Sequence, residues 1–243
     1  MGKLWESRYT ICLELMVLFM LTGAFLYGKF HEDISAGGTS GSIRADQPLA
    51  EDGGETDDVK PKIALTFDDG PHPVFTPRLL DGLKERGVHA TFFLIGKNII
   101  GNEDIVRRMK DEGHLIGNHT YNHVQLTKLS EEKACEEIIK TNDLIYEVTG
   151  SGTEFIRPPF GSWNDNLECG IELISILWSV DPLDWKTEDT SAVVNRVVKN
   201  VKENDIILLH DYYGSSVDAA LQIVDILQKE GYEFVTADEL ILE

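Results

Sequence analysis

Four short motifs carry the side chains able to do chemistry: Thr66-Phe67-Asp68-Asp69-Gly70, His119-Thr120-Tyr121-Asn122-His123, Asp181 with Asp184-Trp185, and Leu208-Leu209-His210. They supply adjacent carboxylates, a histidine pair, a second pair of acids and a late isolated histidine. That is a metal ligand set plus an acid and a base, the parts of a metal-assisted hydrolysis. His119 and His123 are four apart, so on a helical turn both imidazoles would project from one face, as two ligands of one zinc require. Alone the spacing is weak, because surface histidine pairs are common. Asp68 and Asp69 are neighbours whose side chains diverge in an extended segment; one can coordinate a metal while the other addresses a water on it. The bland alternative is an Asp-Asp-Gly-Pro turn, but two acids directly after an apolar strand make poor company without partners.

Arg157-Pro158-Pro159-Phe160-Gly161 adds a proline-stiffened backbone whose following amide is rigidly aimed, as an oxyanion donor must be. Arg157 offers a positive partner for a buried carboxylate. An acid in Asp181-Pro182-Leu183-Asp184-Trp185 could orient a histidine and keep it protonated, with the indole walling a pocket or serving as a core aromatic. His210, closing an apolar run, is a candidate general acid; a satisfied structural histidine is the plainer reading. Trp163 could stack on a ring-shaped substrate or simply pack against the surface.

These motifs must be positioned by something, and the chain after Pro61 alternates strand and helix patterns. Apolar runs predict strands at 63–67, 90–95, 114–116, 155–157, 176–180, 206–209 and 232–235. Between them, helical patterns start at Thr76 as cap, around Ile105, after Ser130, and over 191–201 and 217–229. Repeated strand–helix units imply a parallel sheet, open or closed into a barrel. Asp68-Asp69, His119, Arg157, Asp181 and His210 all fall at or just past predicted strand ends, the edge where such folds bind ligands.

In this order TFDDG, HTYNH, RPPFG, DPLDW and LLH resemble the five motifs of the polysaccharide deacetylase family, the NodB-homology carbohydrate esterases. The resemblance runs from about Lys62 to the C-terminus. It implies a distorted (β/α) barrel and a divalent metal, usually zinc, removing N- or O-acetyl groups from sugars. Position by position it implies Asp68 as general base, with Asp69, His119 and His123 as metal ligands. Arg157 would hold Asp68, Asp184 would support His210 as general acid, and Trp185 and Leu208 would line the acetyl pocket. Phe160 stands where the family often has tyrosine; the role implied there belongs to its backbone amide. The substrate class implied is an N-acetylated glycan, with peptidoglycan N-acetylglucosamine foremost, chitin oligomers and O-acetylated xylan behind it. A glycan-binding module with a defunct site is the non-enzymatic alternative.

The 243 residues carry a net charge of −20, which makes nucleic acid an unlikely partner. From Ile11 to Tyr27 the chain is almost wholly apolar, preceded by Lys3 and Arg8, and is read as an uncleaved signal anchor in preference to a cleaved leader. The expected organisation is a membrane segment over 1–28, a disordered acidic Gly-rich tether over 29–60 and a catalytic domain over 61–243, held outside the cell membrane. Of three cysteines, only Cys135 and Cys169 could bridge within the domain. Neither sits in a CxxC, and they are read as two unpaired small hydrophobes, in a domain large enough to need no staple.

Overall fold

The computed structural model describes Lys60–Leu242. The apolar run at 11–27 and the acidic stretch expected to be a tether lie outside the described residues. Among the described residues no helix is long and apolar enough to cross a membrane.

Seven strands form one sheet, and every ladder in it is parallel. β1 (Lys62–Asp68) lies at its centre, with β2 (Thr91–Leu94), β3 (Leu115–Asn118), β4 (Phe155–Ile156) and β5 (Ile174–Ser175) following on one side and β6 (Ile206–His210) on the other. β7 (Glu233–Val235) pairs with the first residues of β1. Ala64, Leu65, Thr66 and Phe67 are buried on both faces of the sheet, as a strand covered by helices must be. The covering helices are α1 (Phe75–Glu85), α2 (Gly96–Ile99), α3 (Glu103–Asp111), α4 (Glu131–Thr149), α5 (Thr190–Asn200), α6 (Gly214–Lys229) and α7 (Ala237–Ile241). Leu79, Leu80 and Leu83 of α1 meet Ala219, Ala220, Ile223 and Leu227 of α6 in the main core. Burying each of these leucine or isoleucine side chains is worth about 1.5–3 kcal/mol.

Three expectations fail here for identifiable reasons. Thr76 does not cap α1; the helix starts one residue earlier, and Thr76 Oγ1 instead accepts the His72 N–H at 2.8 Å. The strand expected over 176–180 is missing. Regular pairing stops at Ser175, because the carbonyls of Ile176 and Leu177 are taken by the Arg157 guanidinium at 3.0 and 2.9 Å. The segment rejoins the sheet only through a bridge from Val180 to Ile207, so the sheet is a distorted half-barrel and not a regular closed one.

The third concerns the cysteines. Cys135 and Cys169 form a disulfide, with Cα atoms 5.1 Å apart across 34 residues of sequence, so the reading of two unpaired thiols is corrected. The loop after Gly161 folds back on α4 and packs Trp163, Leu167 and Leu173 against Leu126, Ala134, Ile138 and Ile156. Sequence spacing could not show that return.

Candidate active site

β1, β3, β4 and β6 all end at one edge of the sheet, and each delivers a polar side chain there. Asp68 is the last residue of β1, in register with His210 at the end of β6. His119 follows the last residue of β3, and Arg157 follows the last residue of β4.

Arg157 is wholly buried. Its Nη1 donates to Asp68 Oδ1 at 2.9 Å and to Thr66 Oγ1 at 2.7 Å, and the guanidinium lies over the Phe93 ring with 4.2 Å to the centroid. Burial pulls the Arg157 pKa down and the Asp68 charge opposes it. All three guanidinium nitrogens find oxygen acceptors, Nε and Nη2 on the carbonyls of Ile176 and Leu177, which is what makes so deep a charge tolerable. One Asp68 oxygen is thereby fixed, and Oδ2 points on towards His119, 3.7 Å from its Nε2.

The histidine pair is not on a helical turn, which corrects the reasoning from spacing. Thr120 and His123 have φ of 62° and 58°, so the segment curls through two left-handed residues. The loop brings the two rings to 4.9 Å between centroids all the same. Its anchors are hydrogen bonds: Asn118 Oδ1 accepts the Thr120 N–H at 2.7 Å, and the Glu137 carboxylate of α4 accepts the Asn122 N–H at 2.7 Å. His119 Nδ1 carries a proton, because it donates to the Arg157 carbonyl at 2.5 Å, and Nε2 is thereby the ring nitrogen free to act as a ligand. Burial, with repulsion from the neighbouring His119 behind it, lowers the His123 pKa against the pull of Asp69 and Asp68.

Asp69 also departs from expectation. Its φ of 74° turns the chain, so its carboxylate does not diverge from that of Asp68 but joins it on the same side. Asp69 Oδ1 lies 3.6 Å from His119 Nε2 and 3.5 Å from His123 Nε2, and it is buried with no hydrogen-bond partner. An orphaned buried carboxylate oxygen beside two imidazole nitrogens fits a divalent cation, and the three ligand atoms lie within 4.8 Å of one another.

On the far side, Asp184 is buried in a short turn of 184–186. It accepts the His210 backbone N–H through Oδ2 and bonds His210 Nδ1 through Oδ1, both at 2.8 Å. Burial alone would lower the His210 pKa; Asp184, with Asp68 and Asp69 behind it, outweighs that and raises it to about 9. His210 is therefore an imidazolium at neutral pH. Of the two acids offered for this role, Asp181 does something else: its Oδ1 accepts the Leu183 N–H at 2.8 Å, turning the chain so that Asp184 faces inward.

Asp68, Asp69, His119, His123 and His210 share one cavity of about 310 Å³ with Asp181 and an apolar wall of Phe160, Trp178, Trp185 and Leu208. Phe160 and Trp185 stand 68 % and 51 % exposed at its rim. Trp163 faces the α4 packing cluster instead. Trp178 was missed as a wall residue because it sits inside what looks like a strand. Asn118 and Asp211 were missed too, although a polar residue at the end of an apolar strand is a readable signal. Asp211 lies under Gly70, where a Cβ would come 2.5 Å from its carboxylate, so only glycine fits. Burial raises the Asp211 pKa to about 7 against its bond from the Thr76 hydroxyl.

Residues 55–173 match the family model described as polysaccharide deacetylase. Over 184 residues the chain is 42 % identical to a peptidoglycan-N-acetylglucosamine deacetylase of Bacillus cereus, covering 73 % of this chain and 67 % of that one. The chain belongs to the polysaccharide deacetylase family. Peptidoglycan-N-acetylmuramic acid deacetylase PdaC of Bacillus subtilis is 41 % identical over 187 residues, which are 76 % of this chain but only 40 % of that protein. The solved structure of PdaC superposes with a TM-score of 0.73 at 40 % identity, covering 75 % of this chain and 91 % of that one. The chain thus spans well under half the length of the longer relative and nearly all of its solved part.

Proposed function

We propose that this chain is a metal-dependent hydrolase of N-acetyl groups on cell-wall glycans, with N-acetylglucosamine of peptidoglycan as its foremost substrate. The observation that carries the proposal is the single cavity in which a metal triad, an arginine-held carboxylate and an aspartate-held imidazolium face one another. The relatives named above support the substrate class.

Asp69, His119 and His123 would hold the ion. A bound zinc supplies Lewis-acid polarisation of a carbonyl and lowers the pKa of a coordinated water to about 7. Asp68, its Oδ1 held by Arg157, offers Oδ2 to take the proton of the attacking water. The water oxygen adds to the acetyl carbon, and the rigid backbone at Phe160, set by Pro158-Pro159, aims an amide at the developing oxyanion. His210, protonated and oriented by Asp184, donates its Nε2 proton to the sugar nitrogen as the C–N bond breaks. Acetate and a free amine leave. The two proton-handling groups have environments set for opposite tasks, which is how acid and base coexist at one pH. Leu208, Trp178 and Trp185 shape an apolar slot suited to a methyl group.

We also propose the organisation read from the sequence: a membrane anchor over 1–28, a tether over 29–60 and a catalytic domain over 61–243 facing outward. The cystine supports export, because disulfides persist in oxidising compartments. Acetate release compared across peptidoglycan, chitin oligomers and acetylated xylan tests the substrate. The N-acetylated glycans should be turned over and the xylan ester should lag; a faster xylan reaction would make this an O-acetyl esterase.

A further inference from the structure

The reaction above does not use a row of aromatic rings that runs outward from His210. The Tyr213 centroid is 6.5 Å from the His210 imidazole, Tyr212 stands edge-on to Tyr213 at 5.7 Å, and His72 meets Tyr212 edge-on at 5.0 Å. His72 in turn stacks on Phe75 at 4.5 Å. Tyr212 is 46 % and Tyr213 37 % exposed, so both side chains reach solvent beside the cavity's His210.

The row is nevertheless rigidly seated. His72 Nδ1 accepts the backbone N–H groups of Val74 and Phe75 at 3.1 and 3.2 Å, which fixes the imidazole plane that supports Tyr212. Asp211, one residue before Tyr212, is buried and takes the Thr76 hydroxyl, and that same hydroxyl oxygen accepts the His72 N–H. One residue of α1 thus ties down both strand-end loops that carry the rings. Single exposed aromatics need no explanation, but a braced row leading away from a general acid is a preorganised contact surface. Aromatic faces offer dispersion and an apolar surface to the C–H faces of a pyranose, and a tyrosine hydroxyl adds a polar edge at little entropic cost.

We propose that Tyr212 and Tyr213 form a stacking platform for a sugar ring of the same glycan strand, next to the unit being deacetylated, so that the enzyme prefers oligomers over short substrates. This rests on the glycan deacetylase reading above. The platform is a specificity determinant and takes no part in the bond chemistry.

The test is kcat/KM for acetate release from N-acetylglucosamine oligomers, taken as the ratio of a hexasaccharide to a disaccharide, for the wild type, Tyr212→Ala, Tyr212→Leu and Tyr212→Phe. The alanine and leucine variants should lower that ratio about three- to tenfold, through KM more than kcat, as the loss of one aromatic contact predicts. Phenylalanine, which keeps the ring face, should restore it. Leucine keeps bulk against His72, so it carries the test if alanine disturbs folding. A wild type without length preference, or a ratio unchanged in the leucine variant, overturns the platform. A wild type that releases acetate from no glycan of any length overturns the deacetylase reading instead.

Discussion

In the proposed reaction the adjacent aspartates divide the work between two fixed geometries, and substitution should separate them. Asp68→Asn keeps the triad of Asp69, His119 and His123, so elemental analysis should find the ion retained while turnover falls roughly 10²–10⁴-fold. Asp69→Asn should lose the ion, and the opposite pattern would exchange the roles. His210 gives a second test on the metal-free protein, where its pKa is raised to about 9 mainly against burial and by Asp184. The sign follows: the imidazolium gains a partner in the fold, so its stabilisation is complete below the ordinary pKa of about 6.5 and is lost as pH rises through about 9. In Asp184→Asn an NMR titration should return the His210 pKa towards about 6.5 or below, and an unmoved value would remove Asp184 from its assigned part. Asp68, His119, Arg157 and His210 were legible in the sequence as candidates because each is a polar group at or just past the end of an apolar strand. Their geometry was not. The left-handed φ of Asp69, Thr120 and His123 decides which side each chain turns to, and no spacing rule for helices or strands contains it.

Strands and helices were readable where one physical signal dominated. The run at 63–67 is apolar because both faces of β1 are covered, and Gly150 ends α4 in the left-handed conformation as a glycine after a helix should. Where a long-range partner competed, the local signal lost. The apolar segment at 176–180 has strand composition, but the Arg157 guanidinium claims two of its carbonyls and the ladder stops. The cystine is a second long-range constraint, joining α4 to the loop that follows the Phe160 turn. A closure of that length restricts the unfolded chain by about 3–4 kcal/mol in the loop-entropy account. Cys135→Ser should therefore lower the denaturant midpoint and, by freeing the unfolded chain to expand, steepen the slope, as should reductant on the wild type. Equal midpoints with and without reductant would show that the bridge is dispensable.

For the molecule as a whole, the net charge of −20 and the apolar run at 11–27 bear on location and not on chemistry. The full chain is expected in the membrane fraction, and protease added to intact cells or protoplasts should release an active soluble fragment beginning near Pro61. Protection until lysis would place the domain inside and remove cell-wall glycan from its substrates. The family and a parallel strand–helix architecture followed from five ordered motifs on alternating strand and helix signals, the expected distorted barrel proving to be a half-barrel, whereas the substrate depends on rim loops that such patterns do not shape. The most direct test of the central claim counts products. Purified fragment 61–243, loaded with zinc, should yield acetate and new free amines from peptidoglycan in equal amounts, and stripping the metal with a chelator should abolish both until zinc is restored. Binding to the glycan with no acetate released under zinc, or acetate without matching amines, would contradict the assignment of this site as a metal-dependent N-deacetylase.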